Sequence, residues 1–566
     1  MRRRVIGETP RAGLCNIGRV RTIVVSLLAT ALTAITLPAA AAEPWSDADP
    51  PAPPERTAFG DYGFRGAAEY RANALAITPL SINGASGEDL RWVEHRLRLG
   101  GTIDWKERVK LVVSTDLLDG ALWGDNGDFG GNPSSDRGTN VGARNPNVTR
   151  PCVTLVGKDP LDRDSYGYGL CSQSDVSVRH AYGEVALGFG IFRVGRQPIN
   201  IGTGVQNADG EGRPNRFGFS RRGTIVDRVL FATKPLEGFK PAAQRNKDPE
   251  EGLVFAYVAD RVVTDLPIRP GEAVNQTGPV LRFGAKKLGS LEDVHLATYL
   301  VHRWDGQYGT SINSFGLRAM GKLGPFSAGL DAVANVGSTR EVAAAFSLLS
   351  HDPIVDQPIR QFGARGVLRY DQPKFTLYLE GDYASGDSDP QPRTALTQFI
   401  WADDTNVGLL LFKHVLAYQT ARAAAAGVET LRRLGATTYP VDTIDTRGAF
   451  SNALAVFPQI DLRPMKNFLV RGGVLVAWAS SPTIDPIASL QRHAEISSAD
   501  YLVNFVGGRP GRFYGVELDG RVQWRFGDHA IFDLEGAILF PGDALKDENG
   551  YAVRSTMVQA RTTFAF

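Results

Sequence analysis

After residue 42 the sequence has no apolar run of the roughly 18 residues that a spanning helix needs, so the mature chain cannot cross a bilayer on helices. It is also poor in cysteine and methionine, with three and four in 566 residues. It has no charge excess, since 62 basic residues face 61 acidic ones. Global charge therefore gives no sign of a nucleic-acid partner. The hydrolase signatures are missing as well. The histidines, His95, His180, His295, His302, His351, His414, His493 and His529, sit in neither a G-x-S-x-G nor an H-E-x-x-H context, which argues against an enzyme. No linker breaks the chain after about residue 58, so no boundary between soluble domains is visible.

Residues 1–42 read as an export signal. Six arginines, from Arg2 to Arg21, precede the apolar run 22–37, and 39–42 offers a small-residue cleavage site. The leader takes six Arg, one Glu and Cys15 with it, leaving 56 basic and 60 acidic residues, about −4. Residues 43–57 are rich in Pro and Asp and read as a disordered lead-in.

The pattern that remains is strict alternation, clearest at the end of the chain. From Phe513, the residues Gly515, Glu517, Asp519, Arg521, Gln523 and Arg525 share one face, and Tyr514, Val516, Leu518, Val522, Trp524 and Phe526 the other. The runs that follow repeat the arrangement, and the chain stops on Phe566. A soluble sandwich would bury its apolar face. Here the apolar face can point outward to lipid while the charged face lines water.

About eighteen such runs follow one another from residue 61 to residue 566. Short and long connections alternate, as turns and loops do in membrane barrels. The short ones include 101–105, 289–291, 371–372 and 464–465; the long ones are 119–175, 199–222, 337–358, 384–448 and 481–510. The connection 236–250 is long on the short side. The expected fold is thus an all-β transmembrane antiparallel barrel over residues 58–566, with a helical segment in one long loop.

Two loops stand out. Loop 119–175 holds Cys152 and Cys171, which in an oxidising compartment are expected to form a disulfide. It also carries Asp116, Asp119, Asp125 and Asp128 among glycines, a weak calcium signal without EF-hand spacing; no other cofactor or metal is suggested. In loop 384–448, Val407 to Leu434 reads as an amphipathic helix with Leu410, Leu411, His414, Val415, Tyr418 and Ala421 on one side. It either packs over the barrel rim or reaches into the pore.

With the apolar side facing lipid, parity turns a basic set inward, including Arg193, Arg365, Arg369, Arg471, Arg521, Arg525 and Arg561. The inward acids, among them Glu380, Asp382, Asp461, Glu517, Asp519, Asp533 and Glu535, are fewer. Rings of arginine suit anion pores, although such residues also pair across strands and hold a wall together.

Four motifs, Gly195-Arg196-Gln197, Ala384-Ser385-Gly386-Asp387, Gly515-Val516-Glu517-Leu518-Asp519 and Phe540-Pro541-Gly542-Asp543, occur in the order seen in the alginate-export family of outer-membrane porins, which the chain resembles. The resemblance implies eighteen antiparallel strands around an arginine-rich lumen that passes an acidic polysaccharide. It implies that Arg193, Gln197, Glu517, Asp519, Arg521 and Arg525 line the pathway, and that Phe566 is read by the barrel assembly machinery. Expected partners are outer-membrane lipid, that machinery, and an anionic saccharide or small anion. Arg196 falls on the outward parity, which calls for a bulge or a register slip. A structural or adhesion barrel with a loop-blocked lumen is the alternative.

Overall fold

In a computed structural model, the alternating runs pair into one antiparallel sheet that closes on itself. Closure follows from the solvent. In lipid an unpaired backbone amide costs several kcal/mol, so a sheet that crosses a membrane cannot keep an edge. The structure describes residues 56–566 except 81, 83–89, 125–150, 156–165, 171–175, 200–203, 207–209, 213–214, 220–222, 247, 249, 266–272, 403, 434–445 and 496–501.

A short strand β1 (Thr57–Phe59) leads into the wall, whose eighteen strands are β2 (Tyr62–Thr78), β3 (Leu90–Trp105), β4 (Val109–Gly124), β7 (Val176–Leu187), β8 (Gly190–Pro198), β9 (Ile225–Thr233), β10 (Gly252–Thr264), β11 (Val274–Leu288), β12 (Leu291–Asp305), β13 (Ser311–Leu323), β14 (Phe326–Thr339), β15 (Gln357–Asp371), β16 (Phe375–Ala384), β17 (Ala453–Met465), β18 (Phe468–Ala479), β19 (Phe513–Phe526), β20 (Ala530–Pro541) and β21 (Ser555–Ala565). Between β4 and β7 lies a separate ribbon of β5 (Pro151–Leu155) and β6 (Tyr166–Leu170). The barrel closes where β2 pairs β21, from Glu69 opposite Ala565 to Thr78 opposite Thr556. The last residue joins this seam: Phe566 and Ala68 exchange both backbone hydrogen bonds, and the Phe566 ring stacks on His529.

All eighteen expected strands are present, with shifted ends. The connection expected at 101–105 is strand: β3 runs on to Trp105, and the turn is made at Lys106 and Glu107, both in the left-handed region at φ 51° and 58°. Strand β4 continues past 118, so Asp116 is a wall residue bonded to Arg98 and not a loop ligand. Among the described residues, helices occur in three long connections, Glu341–Ser350, Ala417–Arg433 and Pro486–Glu495, where one was expected. The long connection on the short side carries a single helical turn, Pro235–Gly238, and a 3₁₀ turn, Ala242–Gln244.

Outward positions are apolar along the middle of the wall strands, with outward charges near strand ends. Leu111, Leu317, Leu368 and Val558 stay more than half exposed, an arrangement water would penalise and lipid does not. The alternation fails at Tyr514. Tyr514, expected outward, is the extra residue where β19 slips against β18, and the bulge turns its ring inward onto Phe412, 5.9 Å between centroids.

The leader 1–42, most of the lead-in, Cys171 and the aspartates 125 and 128 lie outside the described residues. Cys152 lies on β5, in register with Gly169 of β6, two residues before Cys171. The expected result is a Cys152–Cys171 linked peptide in mass spectra of unreduced, exported protein; free thiols there would refute the crosslink. In the chain-entropy model a loop of this length is worth about 3 kcal/mol to local order.

Candidate functional site: a charged lumen crossed by two inward segments

The inner face carries a cross-strand charge network. On one row, Asp461, Arg471, Arg521 and Glu535 stand opposite one another on β17 to β20. Arg471 grips Asp461 through both carboxylate oxygens, at 2.6 and 2.8 Å. Arg521 donates to Asp533 at 2.9 and 2.8 Å, and Arg561 reaches Asp533 at 3.0 Å and Glu535 at 3.4 Å. Arg365 donates to Glu380 at 2.5 Å and approaches Asp382 at 3.7 Å. Farther round the wall, Arg193 bonds Glu184 and, at 3.1 Å, Gln197, while Lys110 bonds Glu184 from the other side. Most inward charge is therefore matched between neighbouring strands.

Two long connections fold into the lumen and use this network as their anchorage. The first lies between β8 and β9. Its Gln206 is bonded to Tyr299 and Ser314 on β12 and β13. Its far part reaches a different arc of wall. Gly210 O accepts from Arg179, Glu211 pairs with Arg98 and His180, and Gly212 O accepts from Arg71. Arg216 bonds Gln459 and Asp461, the carbonyls of Asn215 and Arg216 accept from Arg521, and Gly218 N donates to Glu535. Phe217 stacks on Phe457, and Arg71 lies 4.1 Å over the Phe219 ring.

The second segment lies between β16 and β17. The backbone N–H groups of Leu409, Leu410 and Leu411 all donate to the Glu517 carboxylate, at 2.7, 2.8 and 2.6 Å. Glu517 is fully buried. Gly408 permits this approach: it sits at φ +72°, and a Cβ there would stand 2.8 Å from Glu517 Oε1. The two segments also hold each other, through Gly210 N to Asp404 and Asn406 to the carbonyls of Phe217 and Phe219. Of the two placements open for residues 407–434, the structure has the first turns inside. Leu410, Leu411, His414, Val415, Tyr418 and Ala421 are all buried, and helix Ala417–Arg433 is tied to the connection between β18 and β19, where the Phe505 carbonyl accepts from Arg422.

The sequence-derived pathway residues thus divide. Arg471, Glu517, Arg521 and Arg561 are sealed under the inward segments; Gln197, Arg365 and Asp519 are nearly as buried. Arg193, Arg369 and Arg525 keep part of their surface, and Arg463 on the same face joins them. Arg369 bonds Asp371 and Arg463 bonds Thr376, both toward the short-turn end of the barrel.

Arg179 was not read as an inward residue. Its strand slips against β4 between Ser114 and Thr115, and this bulge points both Arg179 and His180 inward. Two consecutive polar residues, Arg179 and His180, breaking the alternation that Val176 and Val178 begin, were the available signal. Loop residues Glu211, Arg216 and Asp404 gave none, because period-two reasoning says nothing of loops. Arg196 needs neither bulge nor slip: β8 is in continuous register with both neighbours, and Arg196 stays outward, bonded to Asp227 at 2.8 and 2.9 Å.

The four motifs turn out to be architectural. Gly195 and Gly515 take φ of +131° and +129°, and a Cβ would meet the carbonyl oxygens of Ala181 at 2.3 Å and Phe540 at 2.1 Å. Asp387 accepts from the backbone of Asp389 and Thr397, and Asp543 from that of Phe513.

Residues 286–559 match the alginate export family. No curated protein matches the sequence. Solved structures superpose over most of its length at low identity. OccK2 (OpdF) of Pseudomonas aeruginosa is 8% identical, covering 89% of this chain and 97% of its own, with a TM-score of 0.44. OccAB1 of Acinetobacter baumannii is 9% identical, covering 89% and 96%, with a TM-score of 0.46.

Proposed function

We propose, for a chain that over residues 286–559 belongs to the alginate export family of outer-membrane porins, that its lumen prefers anions and passes an acidic oligo- or polysaccharide. The protein is a non-enzymatic outer-membrane channel. The preference rests on one observation: a group of inward arginines that retain exposed surface, Arg193, Arg369, Arg463 and Arg525, lies below the inward segments, toward the short-turn end, whereas half-buried Arg303 near the long-loop end is paired with Asp265. A guanidinium there can grip a carboxylate through two parallel hydrogen bonds and hand it to the next. Nearby acids such as Glu184 and Asp371 weaken each grip, which transport requires, since a site that binds too tightly does not conduct.

Reversal potentials across a salt gradient test this. The wild type is expected to favour anions, and Arg369→Glu with Arg463→Glu and Arg525→Glu is expected to move the potential toward cations. Screening beyond roughly 8–10 Å confines the effect to residues near the path. A cation-preferring wild type would reject the proposal.

A further inference from the structure

The outer surface holds a charged group that transport does not use. Arg196, Asp227 and Arg261 stand side by side in register on β8, β9 and β10, on the lipid-facing parity. All three lie within four residues of the long-loop ends of their strands. One step down each strand the outward residues are Val194, Val229 and Ala259; the next are Phe192, Phe231 and Tyr257. Two residues of strand rise about 7 Å, so the face changes from aromatic and aliphatic to ionic over that height. Charge on the lipid face is costly at the bilayer midplane and nearly neutral at the interface, which places this row at the outer headgroup level.

The row is not balanced. Asp227 is saturated by Arg196, which holds both carboxylate oxygens, and Arg261 adds a second, exposed guanidinium beside the same acid. Elsewhere on the described rim the outward face of the strands adds Arg91 on β3 and Arg360 on β15, and just before β15 the exposed acid Asp356 is taken up by Arg340. At the short-turn end the outward charges instead alternate in sign, with Lys287 opposite Glu292.

We propose that Arg196 and Arg261, spaced by Asp227, form a binding site for the phosphate of an outer-leaflet glycolipid headgroup. Arg261 and the remaining N–H groups of Arg196 donate to phosphate oxygens, and the acyl chains lie along the Phe192, Phe231 and Tyr257 face. Asp227 orients Arg196 and lowers the net charge, so it tempers the affinity. This site depends on the barrel and its orientation and not on which solute the lumen carries.

The experiment titrates purified, folded protein in detergent with diphosphorylated lipid A and with its dephosphorylated form, reading bound lipid by native mass spectrometry. The phosphorylated form is expected to bind preferentially. Arg196→Gln with Arg261→Gln is expected to weaken it about 25-fold, at roughly fivefold per basic residue at a membrane surface, with conductance unchanged. Asp227→Asn is expected to tighten it, and this single variant decides the matter should the double variant fail to assemble. Equal binding of dephosphorylated lipid, an unchanged affinity in the double variant, or an unchanged or weaker affinity in Asp227→Asn would each overturn the proposal. Inorganic phosphate at millimolar concentration is expected not to compete; full competition would mark a simple anion site and also overturn it.

Discussion

Glu517→Ala is expected to raise single-channel conductance several-fold and to make the current noisy. The Glu517 carboxylate is the partner of three consecutive amides of the inward segment, and it is fully buried. Hydrogen bonds to a charged group are worth about 1.5–3 kcal/mol each, and each buried amide left without a partner costs about 1–3 kcal/mol. A loss on the order of 4 kcal/mol changes a local opening equilibrium by roughly a thousandfold. The wall should survive, because the β19 ladder to β18 and β20 is backbone and unaffected. Glu517→Gln keeps the shape and one acceptor oxygen, so its conductance is expected to fall between wild type and Ala. Planar-bilayer recordings check both; wild-type conductance in the Ala variant would show that residues 407–411 do not restrict the path.

The second large effect is expected at Arg521, where charge reversal should act on stability more than on selectivity. Arg521 is bonded to Asp533 and to the carbonyls of Asn215 and Arg216, and it stands opposite Glu535. Arg521→Glu places a third carboxylate among Asp533 and Glu535 and frees the first inward segment. Breaking a buried charge pair costs about 3–5 kcal/mol. Barrels of this kind are best judged by a rate, so the measurement is loss of the heat-resistant folded band on a gel over time. Unfolding is expected to accelerate on the order of a hundredfold. The reversal potential should move less than in the Arg369, Arg463 and Arg525 variant. A variant as durable as wild type, with a strongly shifted potential, would place Arg521 in the open path instead.

The motif roles bear on what the family match conveys. Gly195 and Gly515 allow close strand approach, and Asp387 and Asp543 tie down strand ends and loop starts. Residues of that type specify the barrel and its rim. The arginines proposed to meet the solute, Arg193, Arg369, Arg463 and Arg525, lie outside the motifs. On that proposal, the choice of solute is a property of this chain's own inner face and of its inward segments.

The wall was legible in the sequence because its rule is local. In a strand the side-chain face is set by counting in twos, and in lipid the apolar face must be the outer one, so Arg471, Glu517, Arg521 and Arg561 could be turned inward from spacing alone. Local reasoning failed where a single residue is inserted, at Tyr514 and at Arg179-His180, since one bulge inverts the parity that follows. It could not say what the inward charges face. Leu410 meets Glu517 across 107 residues of chain, and Arg521 meets the Asn215 carbonyl across 306. Only the closed barrel brings such partners together. There the inward segments exchange water for wall carboxylates and guanidiniums, and residues that spacing would assign to a solute become the anchors of the segments that cross its path.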